Sequence, residues 1–273
     1  MTDNLTRSIS ATPAPRPASQ ATTVEATRAI ADVQAAAQMA RAFPRDPAAA
    51  TEAMQESCAQ FAFADRAFFT FPRGKEKVHG LSVNFARELA RCWGHIDYGV
   101  KELQRLDGRS EMLAFAWDLQ TNTRAETTFI VEHRRSGKNK ALLDDVRDIY
   151  ENNANMGARR MREMILAVLP SWFVEQGAAL CKETLADGGG DIPLAQRVTA
   201  MIATFEQVGV SRARLEKRIG TPSKEWTPAD LADMRIVYNS LKEGTTDIDT
   251  EFPKPTVTAE TLTGIDTETG EAR

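Results

Sequence analysis

With 273 residues, a hydrophobic fraction of 42% and a formal net charge of -4, the chain has enough apolar material for one sizeable globular domain and residues to spare. No window approaches the roughly 18 apolar residues of a membrane span, and the polar, Pro/Ala-rich start lacks the apolar region of a secretory signal, so a cytoplasmic protein with no membrane partner is expected. Three widely spaced cysteines, Cys58, Cys92 and Cys181, argue against a disulfide framework and read as core thiols in a reducing compartment.

Residues 1–22, rich in Ser, Thr, Ala and Pro, cannot bury enough surface to offset the entropy of ordering and are expected to be a disordered arm. Helices are predicted over 23–43 and from Asp46-Pro47, an N-cap followed by proline at the first helical position; Ala50, Met54, Cys58 and Phe61 form the buried stripe of the second. In "FFTFPRGKEKVHGLSVNFARELARCWG" a basic Pro/Gly loop carrying Arg73, Gly74, Lys75 and Lys77 runs into a helix capped by Ser82. Ala86, Leu89, Ala90 and Trp93 face inward on that helix, and Asn84, Arg87 and Arg91 share its other side.

From Ile96 to Arg135 the period changes to two. "IDYGVKELQR", "EMLAFAWDLQ" and "AETTFIVEHRR" read as strands joined by the short turns "LDGRS" and "TNTR", an antiparallel meander. The middle strand has a large apolar face (Leu113, Phe115, Trp117) and a small one (Met112, Ala114, Ala116), which predicts a central strand at least partly covered on both sides.

A long helix starts near Asp144, with a predicted buried stripe of Tyr150, Ala154, Gly157, Ala158, Met161, Ile165 and Val168. Asn152, Asn155, Arg159 and Arg162 align on its other face. Pro170 ends it, and Ser171 caps another helix that runs to the "DGGGD" linker. The fold class expected is therefore α+β: residues 23–187 form a core of a three-stranded antiparallel β-meander packed with helices. Residues 192–244 form a small all-α domain whose last helix is capped by "TPAD", and 245–273, with seven acids against Lys254 and Arg273, form an acidic disordered tail.

Acidity thus belongs partly to the ends. Residues 65–165 hold 18 Lys/Arg against 15 Asp/Glu, clustered at 73–77 and 134–140. Amides and aromatic residues interleave with the cations, as contact with both phosphates and bases requires, so single-stranded nucleic acid is the expected ligand. The predicted interface comprises Arg73, Lys75, Lys77, Arg87, Arg134, Arg135, Lys138, Lys140, Asn152, Asn155, Arg159, Arg160 and Arg162, with Phe68, Phe69 and Phe71 as candidate stackers. No catalytic residue, resident metal or cofactor is expected. Mg²⁺ is compatible but not required, and no phosphate-binding P-loop is present. Two alternatives stand beside this reading: a metal-dependent nuclease using Asp118 and Glu132 or the acids Asp144, Asp145 and Asp148, and a non-catalytic scaffold for a protein partner. For the acid cluster, the helix N-terminus supplies a simpler reason. Cys92-x-x-His95 is half a zinc site with no second pair.

Three blocks occur in order: "LARCWGHIDYGVKELQRLDGRSEMLAFAWDLQTNTRAETTFIVEHRR", "DVRDIYENNANMGARRMREMILAVLP" and "VGVSRARLEKRIGTPSKEWTPADLADMRIVYNSLKEG". Over residues 25–250 the chain resembles a group of phage and prophage recombinases, the single-strand annealing proteins of the Sak, Erf, Red-beta and RecT types. The resemblance implies an ATP-independent annealing protein of phage homologous recombination in a bacterial host cytosol. It also implies a ring or helical homo-oligomer on single-stranded DNA, and a single-strand-binding protein or phage exonuclease as partner of the C-terminal domain. It further implies that Arg73-Gly74 and the run Asn155 to Arg160 contact DNA. Where the group's block reads "GPSIRLAE", this chain has "GLSVNFARE", with Asn84 at the arginine position and Arg87 nearby.

Overall fold

The structure is a computed structural model that describes residues 20–73, 76–134, 141–188 and 190–253. Residues up to Pro44 form one unit, represented by helix α1 (Gln20–Ala42), and the chain from Arg45 onward forms another. Most of the expected arm, 1–19, lies outside the described residues.

In the larger unit α2 (Pro47–Cys58) starts where the Asp46 carboxylate accepts the N–H groups of Ala48 and Ala49, with Pro47 inside the first turn. The short α3 (Phe61–Ala64) leads into strands β1 (Phe68–Arg73) and β2 (Glu76–Leu81), paired antiparallel with Phe68 opposite Leu81 and Arg73 opposite Glu76. The segment expected to be a basic loop is therefore a hairpin. Pro72 argued against a strand, yet a two-stranded ribbon consists only of edges, where proline is tolerated. Gly80 makes room for an aromatic ring: a Cβ there would come within 2.7 Å of the Phe69 ring. Helix α4 (Val83–Trp93) follows, its start capped as expected by Ser82 Oγ, which accepts the Phe85 N–H at 3.1 Å.

Strands β3 (Ile96–Leu106), β4 (Arg109–Asp118) and β5 (Thr123–Glu132) form the antiparallel meander, with β4 in the centre. Helix α5 (Val146–Val168) packs on all three strands. It covers the small face, where Met112, Ala114 and Ala116 are buried, while Leu113, Phe115 and Trp117 on the large face stay half exposed. Size explains the choice: small side chains let a helix approach closely. Gly157 sits so near the sheet that a Cβ would meet Val100 at 2.7 Å.

The inward face of α5 differs from expectation in its first half. Tyr150 is 64% exposed and Ala154 is exposed; Ile149, Asn153 and Gly157 turn inward instead. A purely apolar stripe passes over Asn153 because its burial depends on a remote partner. Its Nδ2 donates to Ser110 Oγ at 2.9 Å, and that hydroxyl lies 2.6 Å from Glu102 and 2.8 Å from His133 Nε2. The single hydroxyl proton goes to Glu102, so His133 carries a proton on Nε2 and donates it. Two Arg105 bonds at 2.8 Å, then the Ser110 hydroxyl, hold the Glu102 carboxyl down at about 2.

Helix α6 (Ser171–Asp187) has Pro170, not Ser171, at its N-cap position, and ends at Gly188 in the left-handed conformation with φ 82°. It closes the first core with α2, α4 and α5 around Met54, Phe85, Leu89, Ile165 and Phe173. All three cysteines are buried and unpaired, as expected.

Helices α7 (Leu194–Gln207), α8 (Arg212–Ile219), α9 (Pro228–Lys242) and α10 (Ile248–Glu251) surround a second hydrophobic cluster that includes Phe205, Leu215, Trp226 and Val237. The capping box predicted from "TPAD" is formed by Thr227 and Asp230. α9 also packs on α6 and β1, so these helices share one compact unit with the sheet. Arg235 grips both oxygens of Asp65 at 2.7 and 2.9 Å, and Ser240 Oγ accepts the Thr70 N–H at 2.7 Å. Residues 245–253, read from sequence as the start of the acidic tail, are built into this cluster. Phe252 is 1% exposed and Glu251 fully buried against Arg218. Composition hid this because a single Phe among acids and threonines shows no periodicity. Residues 254–273 lie outside the described residues.

Among the described residues no single helix is long and apolar enough to cross a membrane.

Candidate nucleic-acid interface

Helix α5 is held by its buried stripe against the sheet and by Asp145 at its start, whose carboxylate accepts the Arg147 and Asp148 N–H groups at 2.7 and 3.3 Å. Asp145 thus serves as the N-cap. Its position fixes where the outer face of α5 presents Asn155, Arg159 and Arg160, all exposed. Arg160 reaches Glu163 at 3.1 Å.

Arg162, expected on the exposed face, is only 19% exposed, and its guanidinium lies 4.9 Å above the Phe69 ring. Burial, then the neighbouring charges of Arg159 and Arg160, push its pKa down while Glu163 opposes them. A guanidinium keeps its proton at neutral pH regardless, so the same facts describe three crowded positive charges. Phe69 stacks in turn on Phe71 at 5.5 Å, and both rings are part exposed, whereas Phe68 is buried in the core. The structure therefore joins one cation of α5, Arg162, to Phe69 and through it to Phe71, two of the three aromatic residues singled out in the sequence.

Other expected residues are placed differently. Asn152 donates to the Glu132 carbonyl at 3.0 Å and ties α5 to the end of β5. Arg134 lies 3.6 Å from Glu132 and bridges by its backbone to Leu142. Arg73 and Lys77 fall in β1 and β2 on either side of the hairpin turn. Lys75, Arg135, Lys138 and Lys140 lie outside the described residues.

Arg87 is exposed on α4 and opens onto a cleft of about 360 Å³ whose walls contain none of the α5 arginines. Arg66 and Arg91 line it too, with Tyr98 from β3. Arg91 was visible at helical spacing from Arg87. Arg66 and Tyr98 carried no local signal, because only the packing of α3, α4 and β3 brings them together.

The carboxylates of the nuclease alternative do not meet. Asp118 pairs with Thr123 and Glu132 with Arg109, at opposite ends of the β4–β5 ladder, so roughly 30 Å of strand separates them. Both Asp118 oxygens are taken by Arg45 at 3.0 Å, and Oδ1 also accepts the Gln120 and Thr121 N–H groups. Arg45 further donates to the Trp93 and Gly94 carbonyls and lies 4.5 Å over the Trp93 ring. Burial alone would raise the Asp118 carboxyl; the Arg45 bonds and the backbone donors outweigh it and hold it below the usual range. Arg45 had one sequence clue, its place just before the Asp46-Pro47 cap, but nothing there pointed to a partner 73 residues away.

Among the described residues no group of three or more His, Cys, Asp or Glu side chains is arranged to hold a metal ion. Contact with Cys58, then burial, pushes the Cys181 thiol far above its usual range. No protein-family model, no curated protein and no solved structure matches this chain.

Proposed function

We propose that the protein binds single-stranded DNA and anneals complementary strands without ATP, as a homo-oligomer of the phage single-strand annealing type. The observation that carries this reading is the α5 face: exposed Arg159 and Arg160 beside Arg162, whose guanidinium lies over the part-exposed Phe69–Phe71 stack. Guanidinium groups suit phosphates, aromatic faces suit unpaired bases, and a single strand offers both within one nucleotide. The order of helix, three-stranded meander and long helix fits the core expected of such annealing proteins.

The half-open face of the sheet suits a second copy. It carries Leu113, Phe115 and Trp117 among Lys101, Arg124, Asp97 and Glu126, a mixture of signs that is self-complementary. Helices α7 to α10, with their own hydrophobic cluster, are the module proposed to receive a single-strand-binding protein or an exonuclease.

Salt titration tests the DNA reading. Each neutralised phosphate contributes about -0.7 to the slope of log affinity against log salt for a single strand. Replacing Arg159 and Arg160 together by Ala is expected to make the slope shallower by roughly one to two contacts, with far-UV circular dichroism unchanged because exposed helix positions tolerate Ala. A folded double variant with the original slope would remove α5 from the interface.

A further inference from the structure

We propose that the cleft between α3, α4 and β3 holds one nucleotide of the bound strand, its phosphate on Arg66 and Arg87 and its base against Tyr98 and Phe63. This rests on the single-strand reading above and assigns to it a second, separate set of contacts.

Charge is the first support. The cleft is lined by three guanidiniums and one carboxylate, Glu88. Arg91 holds Glu88 through bonds of 2.7 and 3.1 Å, and Ser57 adds another at 2.7 Å. That pair neutralises itself, so the net charge of the cleft is that of Arg66 and Arg87. Among the described residues Arg87 forms no hydrogen bond or ion pair, and Arg66 uses only its Nε, on the Ala62 carbonyl at 3.2 Å. One uncommitted and one part-committed guanidinium lining the same cleft are donors suited to a phosphate.

The second support is the apolar and amide lining. Phe63 is part exposed, and its ring stacks on Phe85 at 6.3 Å and 15°, so it is held rigidly by the core. Tyr98 stands on β3, part exposed. Asn84, exposed in the first turn of α4 and without a side-chain partner among the described residues, offers a donor and an acceptor to a base edge. It shares a helix face with Arg87 at i+3 and Arg91 at i+7. A volume of about 360 Å³ lies at the lower end of small-ligand sites, about 300–1,000 Å³. The cleft is open at the surface, so a strand can reach it from solvent.

The probes are a labelled oligothymidylate and a strand of the same length in which every base is absent, titrated against the full chain by fluorescence anisotropy. The wild type is expected to prefer the thymidylate strand, because stacking needs bases. Arg66→Ala with Arg87→Ala is expected to weaken binding of both strands about tenfold or more at low salt and to flatten the salt slope by about 0.7, one phosphate contact. Tyr98→Ala is expected to narrow the preference for bases without changing the slope. Tyr98 also touches the core, so Asn84→Ala, at an exposed position, replaces it if that variant melts early. Wild-type binding of thymidylate with unchanged affinity and slope in the Arg66/Arg87 double variant overturns the cleft alone. A wild-type chain that ignores both strands overturns the cleft and the single-strand reading together.

Discussion

Asp118→Ala is expected to destabilise the unit that starts at Arg45 by about 3–5 kcal/mol, because it leaves a buried guanidinium without its counter-charge. The side chains of Arg45 and Asp118 are only 5% and 3% exposed. Besides Arg45, the carboxylate holds the turn after β4 through the Gln120 and Thr121 N–H groups, so its loss also leaves two backbone donors unpaired. For a unit of this size the loss corresponds to a melting temperature lower by roughly 6–20 °C. Calorimetry at neutral pH checks it. The carboxyl is held below its usual range in the folded state, so its contribution is present above the unfolded pKa of about 4 and fades as pH falls through the lower folded value. The Ala variant should therefore lose less stability on acidification than the wild type. An unchanged melting temperature would mean that Asp118 is free for another task, as the nuclease alternative requires.

Removal of residues 246–273 is expected to cost more than removal of 254–273. The longer deletion takes away Phe252, which packs against Phe205 at 5.4 Å, under Arg218 at 5.7 Å, with its carbonyl bound by Arg214. Loss of a buried phenylalanine side chain alone costs about 3–5 kcal/mol. Glu251 goes with it, stripping Arg218 of an ion pair at 2.9 Å in a site where the guanidinium is largely desolvated. The shorter deletion spares every one of these contacts. Equal melting temperatures for both deletions would show that the second cluster does not depend on its last turn.

These two results concern the parts of the structure least visible in the sequence. Local chemistry was legible: Asp46, Ser82 and Thr227 cap helices as their spacing implies, and strict alternation with short turns gave the meander. Long-range pairs left no local trace. Arg45 with Asp118, Asn153 with Ser110, and Phe252 with Phe205 each join residues dozens of positions apart, and each hides a polar or isolated residue where periodicity predicts surface. The β1–β2 hairpin was missed for a different reason: Pro72 and Gly80 are punctuation in most contexts, and they become strand residues only because a two-stranded ribbon tolerates proline at its edge and the Phe69 ring lies over Gly80. The candidate interface was half legible. Arg159 and Arg160 were expected outward and are, but Arg162 folds in over Phe69, and the Arg66–Arg87 cleft exists only through tertiary packing.

The most direct measurement is the rate at which two complementary oligonucleotides, one with a fluorophore and one with a quencher, anneal with the full chain present and without ATP or Mg²⁺. Annealing well above the spontaneous rate is expected, slowed when Arg159 and Arg160 are both replaced by Ala. A rate no faster than the strands reach alone would contradict the proposed function.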